Sequence, residues 1–237
     1  MERRFSLSQI EGIIGDENQK IAHDVDINVT KYIVGEKVHF RSNNGEERCE
    51  VNEKQAMKKF KDEGWSIRFL CPHFFSNPLF KLLSSMEELF QSMVGCNSYL
   101  TPAGSQGYAP HFDDIEAFIF QVEGRKRWKV YEVDGEENRS PRYPSRDFSR
   151  EELPPILIDT ILGPGDLLYL PRGYIHEAIS LDESHSLHLT FSMAQLKTPA
   201  DLFETILPQA LSKFLIFLLS CIYAFTPFFI HLLYLLG

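Results

Sequence analysis

Three residues equip this sequence for metal chemistry: His111 and Asp113 in HFDD (111–114), and His176 in PRGYIHEA (171–178). In an extended strand alternate side chains project to one face, so His111 and Asp113 point together while Phe112 and Asp114 point away. That supplies two corners of a coordination sphere, and a histidine opening a neighbouring strand supplies a third. Two imidazoles and one carboxylate on one face leave three positions open, the arrangement suited to Fe(II). An H-x-D pair alone arises often by chance, and a lone strand histidine is more often packed or exposed than ligating. The setting separates this case from chance. A GPGD turn leads into the apolar run LLYLP, and the bend at Pro171 and Gly173 presents His176 at a strand start. Proline ends the pairing there, and glycine lets the backbone approach closely.

Lys126 is the second element. The turn VEGRK sends the chain back as KRWKVY, which puts Lys126, Trp128 and Val130 on one face. If that face is the inner one, an ammonium stands beside the metal. A buried ammonium needs an anion, and the far carboxylate of a dicarboxylic acid would serve. A solvated basic turn is the competing reading of GRKR. Asn97, Tyr99 and Thr101 alternate on the preceding strand, as Thr190 and Ser192 do on the last one. These small polar groups read either as pocket lining or as ordinary cross-strand hydrogen bonding. His185 and His188 read as structural, and Asp114 and Glu116, opposite the ligands in parity, are left out of the metal set.

The elements that must position these residues are mostly strands. From Cys96 to Phe191 the chain is a series of short β runs (NSYLTP, HFDDIEAFIFQV, KRWKVYEV, ILIDTIL, DLLYL, HEAIS and SLHLTFSM) with Gly, Pro and Asp between them. Strands without intervening helices imply an antiparallel sandwich or barrel. The charged, Pro-containing stretch 134–155 reads as a surface excursion. Upstream, LSQIEGII, EKQAMKKFKDEG and NPLFKLLSSMEELFQSMV have helical spacing, DVDINVTKYIV and WSIRFL read as strands, and RSNNGEER as a loop. Residues 198–212 read as a helix with Pro199 near its first turn.

The 237 residues are 43% hydrophobic with nineteen Phe and nine Tyr, an aromatic supply that favours a β-rich core. A net charge of -9 argues against direct nucleic-acid binding, which needs a basic face, and accommodates a basic protein partner. Four scattered cysteines (Cys49, Cys71, Cys96, Cys221) form no C-x-x-C pair, which points to a reducing compartment. The N-terminal residues lack the apolar run and cleavage site of a secretory signal. Residues 214–237 are apolar throughout apart from His231 and a few hydroxyls and one thiol. As a helix they would reach about 36 Å, against a hydrocarbon core of about 30 Å.

The stretches NSYLTPAGSQGYAPHFDDIEAFIFQVEGRKRWKVY, GDLLYLPRGYIHEA and SLHLTFS resemble the JmjC ribosomal oxygenases, with SIRFLCP strengthening the likeness to the nucleolar branch. The likeness runs over roughly residues 1–210 and is dense between 96 and 192. It implies a mainly β fold, a double-stranded β-helix (cupin-like jelly roll), to which the chain's own spacing adds flanking N-terminal helices and a C-terminal apolar helix. It implies Fe(II) held by His111, Asp113 and His176, 2-oxoglutarate on Lys126 with Asn97 and Thr190 beside it, and O2 as co-reactant. It sets Arg68, Tyr99 and Ser192 near the substrate groove. The domains expected on this basis are an N-terminal part over 1–95, the β-helix core over 96–195, the start of a helical region over 196–212, and an apolar tail over 213–237.

The implied activity is hydroxylation of a histidine in a large-subunit ribosomal protein, demethylation of a histone H3 lysine, or both, in the nucleus or nucleolus. Oxidative decarboxylation of 2-oxoglutarate yields succinate and CO2 and hydroxylates a C–H bond. On an N-methyl group the same chemistry releases formaldehyde. Family members form homodimers through a helical region and continue into a winged-helix domain, whereas this chain departs from that pattern near Ala210. Two other readings stand beside the oxygenase: a catalytically silent binding module, and a tail-anchored protein whose 214–237 segment crosses a membrane with the domain facing the cytosol.

Overall fold

The computed structural model describes residues 5–16, 18–19, 21–33, 36–40, 53–133, 135, 140–195, 200–201 and 203–218, the side chains of 36, 53 and 54 excepted. The chain falls into two compact units, 1–195 and 196–237. The first opens with helix α1 (Leu7–Gly15), whose N-cap Ser6 accepts from the Gln9 amide and whose Ile10 and Ile14, four apart, are buried. Strands β1 (Ile27–Ile33) and β2 (Glu36–His39) follow, then helix α2 (Glu53–Glu63), which buries Ala56, Met57 and Phe60. Strand β3 (Ser66–Leu70) leads through a 3-10 turn, Pro72–Phe75, into helix α3 (Asn77–Phe90), which buries Leu79, Leu83 and Met86.

The remaining strands are β4 (Val94–Thr101), β5 (Glu116–Glu123), β6 (Lys126–Tyr131), β7 (Ile156–Leu162), β8 (Leu167–Leu170), β9 (His176–Ser180) and β10 (Ser186–Met193). They form a seven-stranded sheet, ordered β2-β1-β3-β4-β10-β5-β8, and a three-stranded sheet, β7-β6-β9. Every strand pairing is antiparallel. This is the double-stranded β-helix implied by the resemblance.

Alternation explains why the large sheet is apolar on one side and functional on the other. Val94, Cys96 and Leu100 of β4 and Leu187, Leu189, Phe191 and Met193 of β10 join one core with the buried residues of the three helices. The opposite rows carry Tyr99 and Thr101 on β4, His188 and Thr190 on β10, and Ala117 and Ile119 on β5. A smaller core of Ala117, Ile119, Trp128, Val130, Leu162 and Leu170 closes the roll between the sheets.

One local expectation is corrected. The strand expected from His111 begins only at Glu116; His111 itself forms a single antiparallel bridge with His176, and residues 112–115 are irregular. The stretch expected as a surface excursion does lie at the surface over its described residues 140–155, and it is also tied to the site. Ser145 N–H donates to the Phe112 carbonyl at 3.0 Å, Phe148 N–H donates to the Pro110 carbonyl at 2.9 Å, and the Phe112 and Phe148 rings meet at 6.1 Å. In the second unit helix runs past 212 to 218. Among the described residues no helix is long and apolar enough to cross a membrane. The loop 41–48, Cys49, Pro199 and the tail 219–237 lie outside the described residues.

Candidate metal centre

His111 and His176 exchange both backbone hydrogen bonds, at 3.2 and 2.8 Å, so their side chains leave the same face with ring centroids 4.7 Å apart. Asp113 is held by its main chain: Gly173 N–H donates to the Asp113 carbonyl at 3.0 Å. Gly173 sits at φ +83°, in the left-handed region where a residue with a Cβ is strained. The PRGY bend thus fixes the carboxylate ligand while presenting His176. One Asp113 oxygen lies 3.9 Å from His111 Nε2 and the other 3.8 Å from His176 Nε2. One ligand atom from each of the three residues lies within 4.8 Å of the others.

The tautomers follow from hydrogen bonding. His111 Nδ1 faces the Ala109 carbonyl at 2.7 Å, and His176 Nδ1 faces the Tyr174 carbonyl at 3.0 Å. A carbonyl only accepts, so each Nδ1 carries a proton and each Nε2 is the ring atom left facing Asp113. Burial, with His111 adding to it, lowers His176 to about 4, leaving it neutral near pH 7. Two imidazole nitrogens and a carboxylate converging on one point fit a divalent transition metal with open positions.

These donors line a cavity of about 340 Å³ together with Arg68, Tyr99, Lys126 and Thr190. Lys126 is 5% exposed, and burial alone pushes its ammonium down to about 7. Its Nζ donates to Thr101 Oγ1 at 2.9 Å. The hairpin that delivers it turns on Gly124, at φ +62°, where a Cβ would sit 1.8 Å from the His185 carbonyl oxygen. Thr190 pairs across the sheet with Asn97, which turns its amide oxygen to accept from Arg68 Nη2 at 2.9 Å. Asn97 and Ser192 continue the inner rows but are not part of the cavity lining.

His188, expected to be structural, stands in the cavity wall. Its ring stacks on Tyr99 at 4.8 Å with an interplanar angle of 4° and meets Trp128 edge-on at 5.3 Å. Burial first, then Lys126 and His176, hold it well below the ordinary histidine range. Its parity with Thr190 and Ser192 was the available signal. His185, by contrast, pairs with Glu123 at 2.8 Å away from the cavity. Glu116 accepts from the Tyr169 hydroxyl.

The model of the JmjC domain matches residues 69–201, over half of the chain. The chain belongs to the JmjC domain family. It is 40% identical over 207 residues to ribosomal oxygenase 1 of Danio rerio, covering 87% of this chain and 37% of that protein. Human ribosomal oxygenase 1 is 50% identical over 147 residues, 62% of this chain and 23% of the relative. The bifunctional lysine-specific demethylase and histidyl-hydroxylase NO66 of Drosophila melanogaster is 45% identical over 158 residues, 67% of this chain and 24% of the relative. Among solved structures, ycfD of E. coli matches with TM-score 0.58 at 20% identity over 88% of this chain and 50% of its own. A second structure of that protein, a ribosomal oxygenase in complex with cobalt and 2-oxoglutarate, matches with TM-score 0.55 at 20% identity over 88% of this chain and 49% of its own. The JmjC chain described here therefore spans about half the length of those structures and less than two fifths of the relatives named.

Proposed function

We propose that this domain is an Fe(II)- and 2-oxoglutarate-dependent oxygenase acting on a protein side chain, by preference a histidine of a large-subunit ribosomal protein. The observation that carries the reading is a buried Lys126 side chain in the same cavity as two imidazole Nε2 atoms and the Asp113 carboxylate. His111, Asp113 and His176 would hold the iron. Lys126 and Thr101 would receive the far carboxylate of 2-oxoglutarate, with Thr190 beside it and Asn97 behind. When bound, iron and 2-oxoglutarate supply an O2-driven oxidative decarboxylation that delivers one oxygen atom to a substrate C–H bond and the other to succinate. The chain's own part is to orient the donors, anchor the dicarboxylate, and keep water out with Trp128, Ala117, Ile119 and Leu170. An intact donor set argues against a silent binding module.

The name of the Drosophila melanogaster relative carries both hydroxylase and demethylase activity, and one observation favours the first for this chain. A methylated ammonium is best held against free aromatic faces. Here the Arg68 guanidinium stands 5.6 Å from the Tyr99 centroid, His188 stacks on Tyr99, and Lys37 Nζ stands 4.4 Å from the Tyr108 centroid. With cations already at both tyrosines, a neutral imidazole enters more easily than a methyl-lysine. The test is mass spectrometry of ribosomal-protein and histone peptides incubated with the chain, Fe(II) and 2-oxoglutarate. Gain of one oxygen supports the hydroxylase and loss of a methyl group supports the demethylase. Neither change, or turnover that survives His176→Ala, sinks the oxygenase reading. The address that accompanies this reading is nuclear or nucleolar; carbonate extraction of the full chain tests the alternative of a membrane tail, which release into the supernatant would exclude.

A further inference from the structure

Glu177 follows His176 on β9 and by parity leaves its opposite face. It is 7% exposed, yet it carries a charge. Burial would raise its carboxyl, but hydrogen bonds from Arg150 and Tyr131 outweigh that and hold it below the ordinary glutamate range. The donors come from three separate stretches of chain. Tyr131, ending β6, donates its hydroxyl at 2.5 Å; Arg150 donates Nη1 from the 3-10 turn Arg150–Glu152; and Gln106 donates Nε2 at 3.2 Å.

Two of these stretches are the lips of the metal cavity. The Gln106 amide also donates to the Tyr108 carbonyl at 2.8 Å, and the Tyr108 ring lies 5.7 Å from Tyr99 and 6.2 Å from His111. The Arg150 lip carries Pro144, Ser145 and Asp147 into the cavity lining. It is fastened at its other end by the Ser145–Phe112 and Phe148–Pro110 hydrogen bonds. A buried ion pair is a weak source of stability but a strong constraint on geometry, because every alternative arrangement strands a charge.

We infer that Glu177 is a positioning residue for the polypeptide substrate: it ties both lips of the cavity to the strand that carries His176, so that a side chain entering between them is aligned with the metal centre. This rests on the oxygenase reading. The lips, rather than the donors, set the distance between the substrate carbon and the reacting centre, and small errors there have large kinetic effects.

The experiment compares wild type with Glu177→Gln, which keeps shape and two neutral hydrogen bonds, and Arg150→Met, which strands the carboxylate. The probe is a histidine-containing ribosomal-protein peptide, with succinate and hydroxylated peptide both quantified. In each variant the peptide KM should rise at least about tenfold, and more succinate should form per hydroxylated peptide, with the 2-oxoglutarate KM changing far less. Equal increases in both KM values, or wild-type peptide KM and coupling in folded variants, overturn the inference. If wild type forms no succinate, the oxygenase reading fails first. Hydrogen exchange then decides the inference: faster exchange at the Ser145 and Phe148 amides in Arg150→Met supports it, and unchanged protection overturns it. Should Arg150→Met not fold, Glu177→Gln carries both measurements.

Discussion

Lys126 Nζ donates to Thr101 Oγ1 at 2.9 Å, across the gap between the two sheets, and among the described residues Lys126 makes no ion pair. The fold therefore spends stability on a cation whose counter-charge must arrive with a ligand.

The pH dependence follows in sign. Burial takes the Lys126 ammonium down to about 7 in the folded chain, from the ordinary 10.5 that the unfolded chain keeps. Between those values the unfolded state binds more protons, so this group makes stability rise with pH from about 7 to about 10. Below 7 the full penalty is present. Lys126→Met should raise Tm by a few degrees at pH 6 and by progressively less toward pH 10. Thermal unfolding of the ligand-free chain across that range checks it; a constant difference between the two proteins would count against the burial argument.

Dicarboxylate binding should show the mirror image. A carboxylate beside Lys126 restores the charged form, so binding takes up a proton above pH 7 and weakens by about tenfold per pH unit there. Calorimetry of 2-oxoglutarate with the Fe(II)-loaded chain, in buffers of different ionisation heat, measures the uptake directly.

Asp113→Ala removes a ligand rather than an outer partner, whose loss alone costs about 10–100-fold in metal affinity. The loss should exceed that range, with little change in Tm of the metal-free chain because the Asp113 side chain is 40% exposed. Cobalt titration followed by its visible absorption bands reports the affinity.

Trp128 is 4% exposed and lies 6.1 Å from the His176 ring and 5.3 Å from His188. Trp128→Ala should cost about 3–5 kcal/mol and should weaken cobalt binding as well, since His176 loses the ring it leans on. Urea unfolding and the same titration separate the two effects.

Gly124→Ala drives a Cβ to 1.8 Å from the His185 carbonyl oxygen at a φ of +62°. The backbone must shift, at a cost of at least about 2 kcal/mol. Because Gly124 sets the turn before Lys126, 2-oxoglutarate affinity should fall with stability, measurable in one calorimetric series.

Much of this arrangement is legible in the sequence because β structure alternates. Lys126, Trp128 and Val130 share a face in KRWKVY, and all three are buried. Thr190 and Tyr99 are reached in the same way. The parity argument for His111 and Asp113 has the right convergence for a different reason: no strand runs through them, and a main-chain bond from Gly173 with one β-bridge does the positioning. Long-range backbone bonds leave no periodic trace in a sequence. Neither does the fastening of the 140–149 stretch, because polar, Pro-rich composition looks the same in a free loop and in one pinned at Phe112 and Pro110. His188 packs against Tyr99 and Trp128, as a strand histidine beside apolar residues most often does; its place in the cavity wall shows in the sequence only as parity with Thr190.

The bridge between His111 and His176 has a consequence for how the protein comes to hold its metal. Its two halves are separated in the chain by four strands, β5 to β8, and the long connection before β7, so closing it must draw together segments far apart in sequence. Loop-closure entropy makes such contacts late events in folding. The metal ion then has no role as a nucleus: loading follows folding, and a chelator should strip the site while leaving a folded, reloadable chain.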